Sequence, residues 1–200
     1  MRIIGLTGGT GSGKSEAARR FEDRNIPAID ADEIGHEVIA PGGQTVDTVV
    51  AAFGEDILTD GIIDRVKLGA RVFDDPEALR RLNALVHPWI GVVIAQRCSE
   101  YAQAGRTVAI VDAALLAERG RREEWLDGLI LVTAKQAIRQ QRLVQYRGMT
   151  PDQALQRIQA QTSPETKIPL ADWIIENNGG IDELHRRVDE VAAQILKDEG

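Results

Sequence analysis

The apolar positions of this chain change period several times, and each change marks an element. Ile3-Ile4-Gly5-Leu6-Thr7 is an unbroken apolar run and reads as a buried strand. Glu16-Ala17-Ala18-Arg19-Arg20-Phe21 then has helical spacing. Asn25-Ile26-Pro27-Ala28-Ile29-Asp30 predicts a short second strand that delivers Asp30-Ala31-Asp32 at its end. Helical spacing returns over Asp32–Ile39 and stops at Pro41-Gly42-Gly43. Residues 44–104 look helical throughout: Val46, Val49, Val50 and Phe53 form one stripe, Thr59-Asp60-Gly61 is a turn, and Asp64 caps a helix through Phe73. Asp75-Pro76 is an N-cap followed by proline at the first helical position. In the helix it opens, Leu79, Leu82, Leu85, Val86, Ile90, Val93 and Ile94 carry the apolar face, and Pro88 is expected to kink or break it.

The second half returns to alternation of strand and helix. Gly105–Asp112 is a fully apolar strand ending in a carboxylate, Gly128–Thr133 a fourth, and Ala171–Ile175 a fifth. Thr133 is placed to cap a helix carrying Arg139, Arg142 and Arg147. Thr150-Pro151-Asp152-Gln153 is a capping-box start for a helix through Gln161, and Ile181–Leu196 is an amphipathic closing helix. The pattern predicts an α/β fold: a five-stranded parallel sheet with helices on both faces, and an inserted helical substrate domain between strands two and three.

Composition narrows the class without choosing a function. With 200 residues, 43% apolar and 28% charged, the chain has the make-up of an ordinary globular core with a small insert. A net charge of −7 argues against broad binding to nucleic acid or anionic membranes. The single Cys98 excludes an internal disulfide and reads as a buried, inert thiol. No signal-peptide pattern or membrane-length apolar run is evident, so a reducing cytoplasm is the simplest expectation. His36, His87 and His185 have no zinc-ligand spacing, and Trp89, Trp125 and Trp173 read as core.

The chemistry concentrates at Gly8-Gly9-Thr10-Gly11-Ser12-Gly13-Lys14-Ser15, between the first strand and the first helix. Strand, glycine-rich loop, Lys-Ser and helix is the P-loop pattern in its proper context. Glycines leave no Cβ in the way, so successive backbone N–H groups can turn around phosphate oxygens while the helix points its positive end at the same place. Gly9 through Glu16 are the candidate contacts to ATP, with Lys14 on the outer phosphates and the Ser15 hydroxyl on a bound Mg²⁺. A hydroxyl acceptor needs a carboxylate to orient it and take its proton; Asp32 is the candidate, its bland alternative being helix capping. Asp30 reads as a structural or metal-side partner. Asp112 either holds Mg²⁺ through water or is an ordinary strand-end residue. Arg139 and Arg142, three residues apart on one helix face, are candidates to neutralise charge on the transferred phosphoryl group; the alternative is a solvated face.

The P-loop, Asp30-Ala31-Asp32, Leu82-Asn83-Ala84-Leu85-Val86-His87-Pro88, Gln141-Arg142-Leu143, Arg157-Ile158-Gln159-Ala160-Gln161, Lys167, Ala171-Asp172 and Ile175-Glu176-Asn177-Asn178-Gly179 together resemble the dephospho-CoA kinase family along essentially the whole chain. The resemblance implies ATP-dependent phosphorylation of the 3′-hydroxyl of dephospho-CoA, giving CoA and ADP. It also implies a nucleotide core over 1–40, 105–134 and 170–200, a CoA-binding insert over 41–104 and a lid over 135–169. Arg65, His87, Asp32 and Asp112 are then candidate acceptor-site residues, and Arg139, Arg147, Asn177 and Gly179 candidate ATP contacts, Asn177 and Gly179 at the base. An exposed helix face is the alternative for Arg65. The resemblance gives no expectation of nucleic-acid or membrane partners and suits a monomer or small homo-oligomer.

Two departures stand out. Relatives usually show Asp-x-Pro-Leu-Leu-Phe-Glu where this chain has Asp112-Ala113-Ala114-Leu115-Leu116-Ala117-Glu118. Relatives usually show Arg-Asp before Gly where this chain has Tyr146-Arg147, a one-position displacement worth roughly 100° around a helix. Rival readings are a kinase of another small metabolite or nucleotide, a nucleotide-dependent switch, and a family member that binds without turnover. Against the switch, the chain has no Asn-Lys-x-Asp motif, and Ala113 follows Asp112.

Overall fold

A computed structural model describes residues 1–113, 116 and 121–197. It divides into two compact units, Met1–Ile29 with Glu100–Gly200, and Asp30–Ser99. In chain order the elements of the first unit begin with β1 (Arg2–Gly8), α1 (Lys14–Asp23) and β2 (Ala28–Asp30), whose last residue crosses into the second unit. The second unit holds α2 (Ala31–Glu37), α3 (Val46–Phe53), β3 (Leu58–Thr59), β4 (Ile62–Ile63), α4 (Arg65–Val72) and most of α5 (Pro76–Gln103). The first unit resumes with β5 (Val108–Asp112), β6 (Gly128–Thr133), α6 (Gln136–Arg147), α7 (Pro151–Gln159), α8 (Pro164–Lys167), β7 (Trp173–Glu176) and α9 (Ile181–Lys197).

The five-stranded sheet has the order β2-β5-β1-β6-β7, with β1 parallel to β5 and β6, and β6 parallel to β7. The chain therefore leaves β1 with one neighbour on each side that comes much later in sequence. A crevice outside the C-terminal strand ends, where the order reverses, is where open α/β sheets take ligands. One face packs Ile4, Leu6, Val108, Ile110, Ile130, Val132 and Ile175 against Ala17, Ala18 and Phe21 of α1. Leu184, Val188, Val191, Ala192 and Ile195 of α9 complete that core, the stripe a 3.6-residue period produces. Trp173 packs against it too, but Trp89 and Trp125 are 40% and 44% exposed, which corrects the reading of all three tryptophans as core.

Other expectations need correction. Thr133 ends β6 and does not cap α6, whose N-cap is Lys135, with no side-chain cap bond. The capping box at Thr150 and Gln153 is present, but α7 ends at Gln159, leaving Gln161 beyond the helix. In the second unit, 44–104 is not helical throughout. Asp60 and Gly61 both have positive φ (52° and 78°), the turn geometry that closes a tight hairpin, and β3 pairs with β4 antiparallel around them. Asp64 caps α4 by accepting from the amides of Val66 and Lys67, and Asp75 accepts from those of Glu77 and Ala78 ahead of α5. α5 runs through Pro88 without a break. Cys98 is buried in α5, and burial pushes its thiol up from the ordinary value.

Candidate active site

β1 delivers the chain to the loop at Gly8, and α1 begins at Lys14. Between them Gly11 and Gly13 take φ of 77° and 98°, a region that side chains with a Cβ avoid. The Ser12 amide donates to Gly9 O at 3.0 Å, closing the turn. Among the described residues, the amides of Gly11, Gly13, Lys14 and Ser15 have no protein acceptor. Those are the donors that a phosphate cradle at a helix N-terminus uses.

The loop's charged neighbour is Asp112. At the end of β5, beside β1, its carboxylate is 3% exposed and ion-paired with Lys14 Nζ. The structure thus brings together two sequence-predicted residues that are 98 positions apart. Ser15 is exposed in the first turn of α1, and Glu16 Oε1 accepts from His185 Nε2 at 2.9 Å. His185 thereby braces the first turn of the P-loop helix.

The outer side of the loop is gripped by the segment after β6. Arg139 Nε donates to Thr10 O at 2.8 Å and Arg139 Nη2 to Gln161 Oε1 at 3.0 Å; the same oxygen accepts from the Thr10 amide at 2.7 Å. Arg142 Nη2 donates to Asn177 Oδ1 at 3.0 Å and Gly179 O at 3.2 Å, and its Nη1 reaches the carbonyls of Gly11 and Ser12 at 3.5 and 3.4 Å. Asn177 Nδ2 donates to Ser12 O at 2.8 Å. Arg139 is 5% exposed, and burial lowers the affinity of both guanidinium groups for their protons. Gln161 was visible in sequence only as part of a family-like segment. No local signal marks it, because its partners Thr10 and Arg139 lie 151 and 22 positions away in sequence.

A model of the dephospho-CoA kinase family matches residues 2–183. The chain belongs to that family. The Streptomyces avermitilis dephospho-CoA kinase is 43% identical over 197 residues, covering 98% of this chain and 95% of that protein. The Arabidopsis thaliana dephospho-CoA kinase is 37% identical and covers 98% of this chain and 85% of its own. Among solved structures, TT1252 from Thermus thermophilus superposes with a TM-score of 0.80 at 30% identity, covering 96% of this chain and 97% of that one. The Campylobacter jejuni dephospho-CoA kinase shares the fold at a TM-score of 0.65 and 21% identity, with 97% of each chain covered.

The remaining candidates are placed by their own elements. Arg147 is exposed in the last turn of α6, and Tyr146 beside it is 72% exposed. In the second unit Asp32 lies in the first turn of α2, whose N-cap is Asp30; Asp30 Oδ1 accepts from the Asp32 and Glu33 amides at 2.8 and 3.1 Å. Arg65 Nη2 meets His36 Nε2 at 2.7 Å, and His87 is exposed on α5 next to Pro88. Ala114, Leu115, Ala117 and Glu118, in the segment that departs from the family pattern, lie outside the described residues. No helix among the described residues is long and apolar enough to cross a membrane.

Proposed function

We propose that the chain transfers the terminal phosphoryl group of ATP to the 3′-hydroxyl of dephospho-CoA, with the phosphates held by Gly9–Ser15. The observation that carries this reading is the P-loop cradle, with Lys14 beside a buried strand-end carboxylate, in a chain matched by the family from residue 2 to residue 183. The acceptor oxygen forms a bond to the γ-phosphorus as the bond to the β–γ bridging oxygen breaks, and ADP leaves. Asp32 takes the acceptor's proton; its freedom from capping, a task Asp30 performs, supports that role. Lys14 leaves Asp112 for the outer phosphates, and Arg142, with Arg139 behind it, supplies positive charge at the loop. Ser15 and Asp112 offer the oxygen donors that Mg²⁺ takes together with phosphate and water. Bound there, the ion would neutralise phosphate charge.

The lid assignment 135–169 and the acceptor insert 41–104 belong to the same proposal, with Arg65 and His87 facing the acceptor. A cavity of about 570 Å³ whose walls include Lys135, Arg139, Gln161, Glu165, Glu176 and Asn178 adjoins the loop and is our choice for the nucleoside end of ATP. Asn177 and Gly179 then serve the nucleotide by bracing Ser12 and Arg142. The test is a coupled ADP-release assay with dephospho-CoA against a panel of nucleosides, nucleotides and sugars. Stimulation by dephospho-CoA alone is expected; turnover with another acceptor, or none with dephospho-CoA, overturns the reading.

A further inference from the structure

We infer that Gln161 is a positioning residue for the phosphate cradle: it fixes the apex of the P-loop through the Thr10 amide and Arg139, and nucleotide affinity depends on that hold. This rests on the reading that the loop holds ATP phosphates. The Gln161 side-chain carbonyl accepts twice, from the Thr10 amide at 2.7 Å and from Arg139 Nη2 at 3.0 Å. Arg139 Nε in turn donates to the Thr10 carbonyl at 2.8 Å. Both backbone groups of Thr10 are therefore committed to Gln161 and Arg139. The Gly9–Thr10 peptide is held by its N–H and the Thr10–Gly11 peptide by its C=O, and the trans Thr10–Gly11 unit turns its own N–H to the side opposite that bonded carbonyl. The neighbouring amides, Gly11 and Gly13 to Ser15, are the ones left for the ligand.

The glycines give an independent sign that this outer contact shapes the loop. A Cβ on Gly9 would stand 2.5 Å from Arg139 Nη2, and one on Gly11 would stand 2.8 Å from the Arg139 carbonyl oxygen. A Cβ at either position would meet Arg139, at Gly9 the end of its side chain and at Gly11 its backbone. Gln161 in turn holds the Arg139 guanidinium there. It can do so because α7 ends at Gln159, which releases Gln161 from helical geometry.

The chemistry needed is an acceptor of the right length, so two substitutions separate the role. Gln161→Leu keeps the bulk and removes the acceptor, leaving the Thr10 amide and Arg139 Nη2 without their partner. Gln161→Glu keeps the acceptor. Calorimetric titration of the full chain with ADP should show affinity about tenfold weaker in the Leu variant and within about threefold of wild type in the Glu variant. The KM for ATP should rise in parallel in the Leu variant while the KM for dephospho-CoA stays put. Gln161→Ala is measured alongside and, should the Leu variant fail to fold, carries the same comparison with Glu. Unchanged ADP affinity in a folded Leu or Ala variant overturns the inference. So does an equal loss in the Glu variant, or a joint rise in both KM values. A wild-type chain that binds no ADP overturns the functional reading itself, whereas wild-type binding with an unaffected Leu variant overturns this inference alone.

Discussion

Asp30 and Asp32 sit two residues apart at the end of β2 and divide two tasks that one carboxylate could have combined. Asp30 takes the cap, accepting from two first-turn amides, and Asp32 is exposed within that turn. Asp30→Ala should therefore cost about 1 kcal/mol of stability, read by denaturant unfolding, and leave kcat within a few-fold. Asp32→Asn should leave stability and ATP affinity near wild type and lower kcat by about 10²–10⁴. Steady-state kinetics on the two variants decides it, since a reversed pattern would return Asp32 to a structural role. The aspartates at positions 30 and 32 were legible in sequence as strand-end carboxylates, but their division of labour was not. Which oxygen reaches which amide depends on where the helix starts, and that boundary shifts by a residue without any change in spacing.

At the scale of elements, helices are held by contacts that periodicity does not encode. α1 and α9 share an apolar interface, and beside it Asp189 accepts from Arg20 at 2.9 and 2.8 Å and from Arg24 at 2.7 Å. The two guanidinium groups hold the Asp189 carboxyl well below the usual carboxylate range. A lowered folded-state value means that this stabilisation is present above about pH 4 and is lost progressively as the pH falls below it. Asp189→Asn should lower Tm at pH 7 by about 2–4 °C, and the gap from wild type should close in melts below pH 4. A gap that persists unchanged into acid would assign the loss to packing. α5 shows the opposite balance. Pro88 forfeits one backbone hydrogen bond and crowds the preceding turn, a cost of about 3 kcal/mol, yet the helix continues. Val86, Ile94 and Cys98 are buried on either side of it, and that packing outweighs the local penalty.

At the scale of the whole molecule, the phosphate site is a meeting of chain segments that lie far apart in sequence. Its occupation should be felt throughout the chain's stability. ADP at a hundred times its Kd should raise Tm by about 5–10 °C. Lys14→Ala should abolish both that shift and phosphoryl transfer. It should also lower the ligand-free Tm, because the 3% exposed Asp112 carboxylate loses its cation. A Lys14→Ala variant that is still stabilised by ADP and turns over would remove the loop from the mechanism. The sequence by itself determined the five strands of the parallel sheet, though not the β3–β4 hairpin, and the loop, from a glycine spacing that must precede Lys-Ser. It also determined the amphipathic closing helix and the family, from motifs kept in order along the chain. Only the tertiary structure decided that Lys14 pairs with Asp112, that Asn177 and Gln161 brace the loop, and that Trp89 and Trp125 face outward. The reason is physical: element type follows from local period, whereas a polar side chain's partner depends on which strand ends the sheet brings side by side. In the order β2-β5-β1-β6-β7, β1 takes both of its neighbours from more than a hundred residues further along the chain.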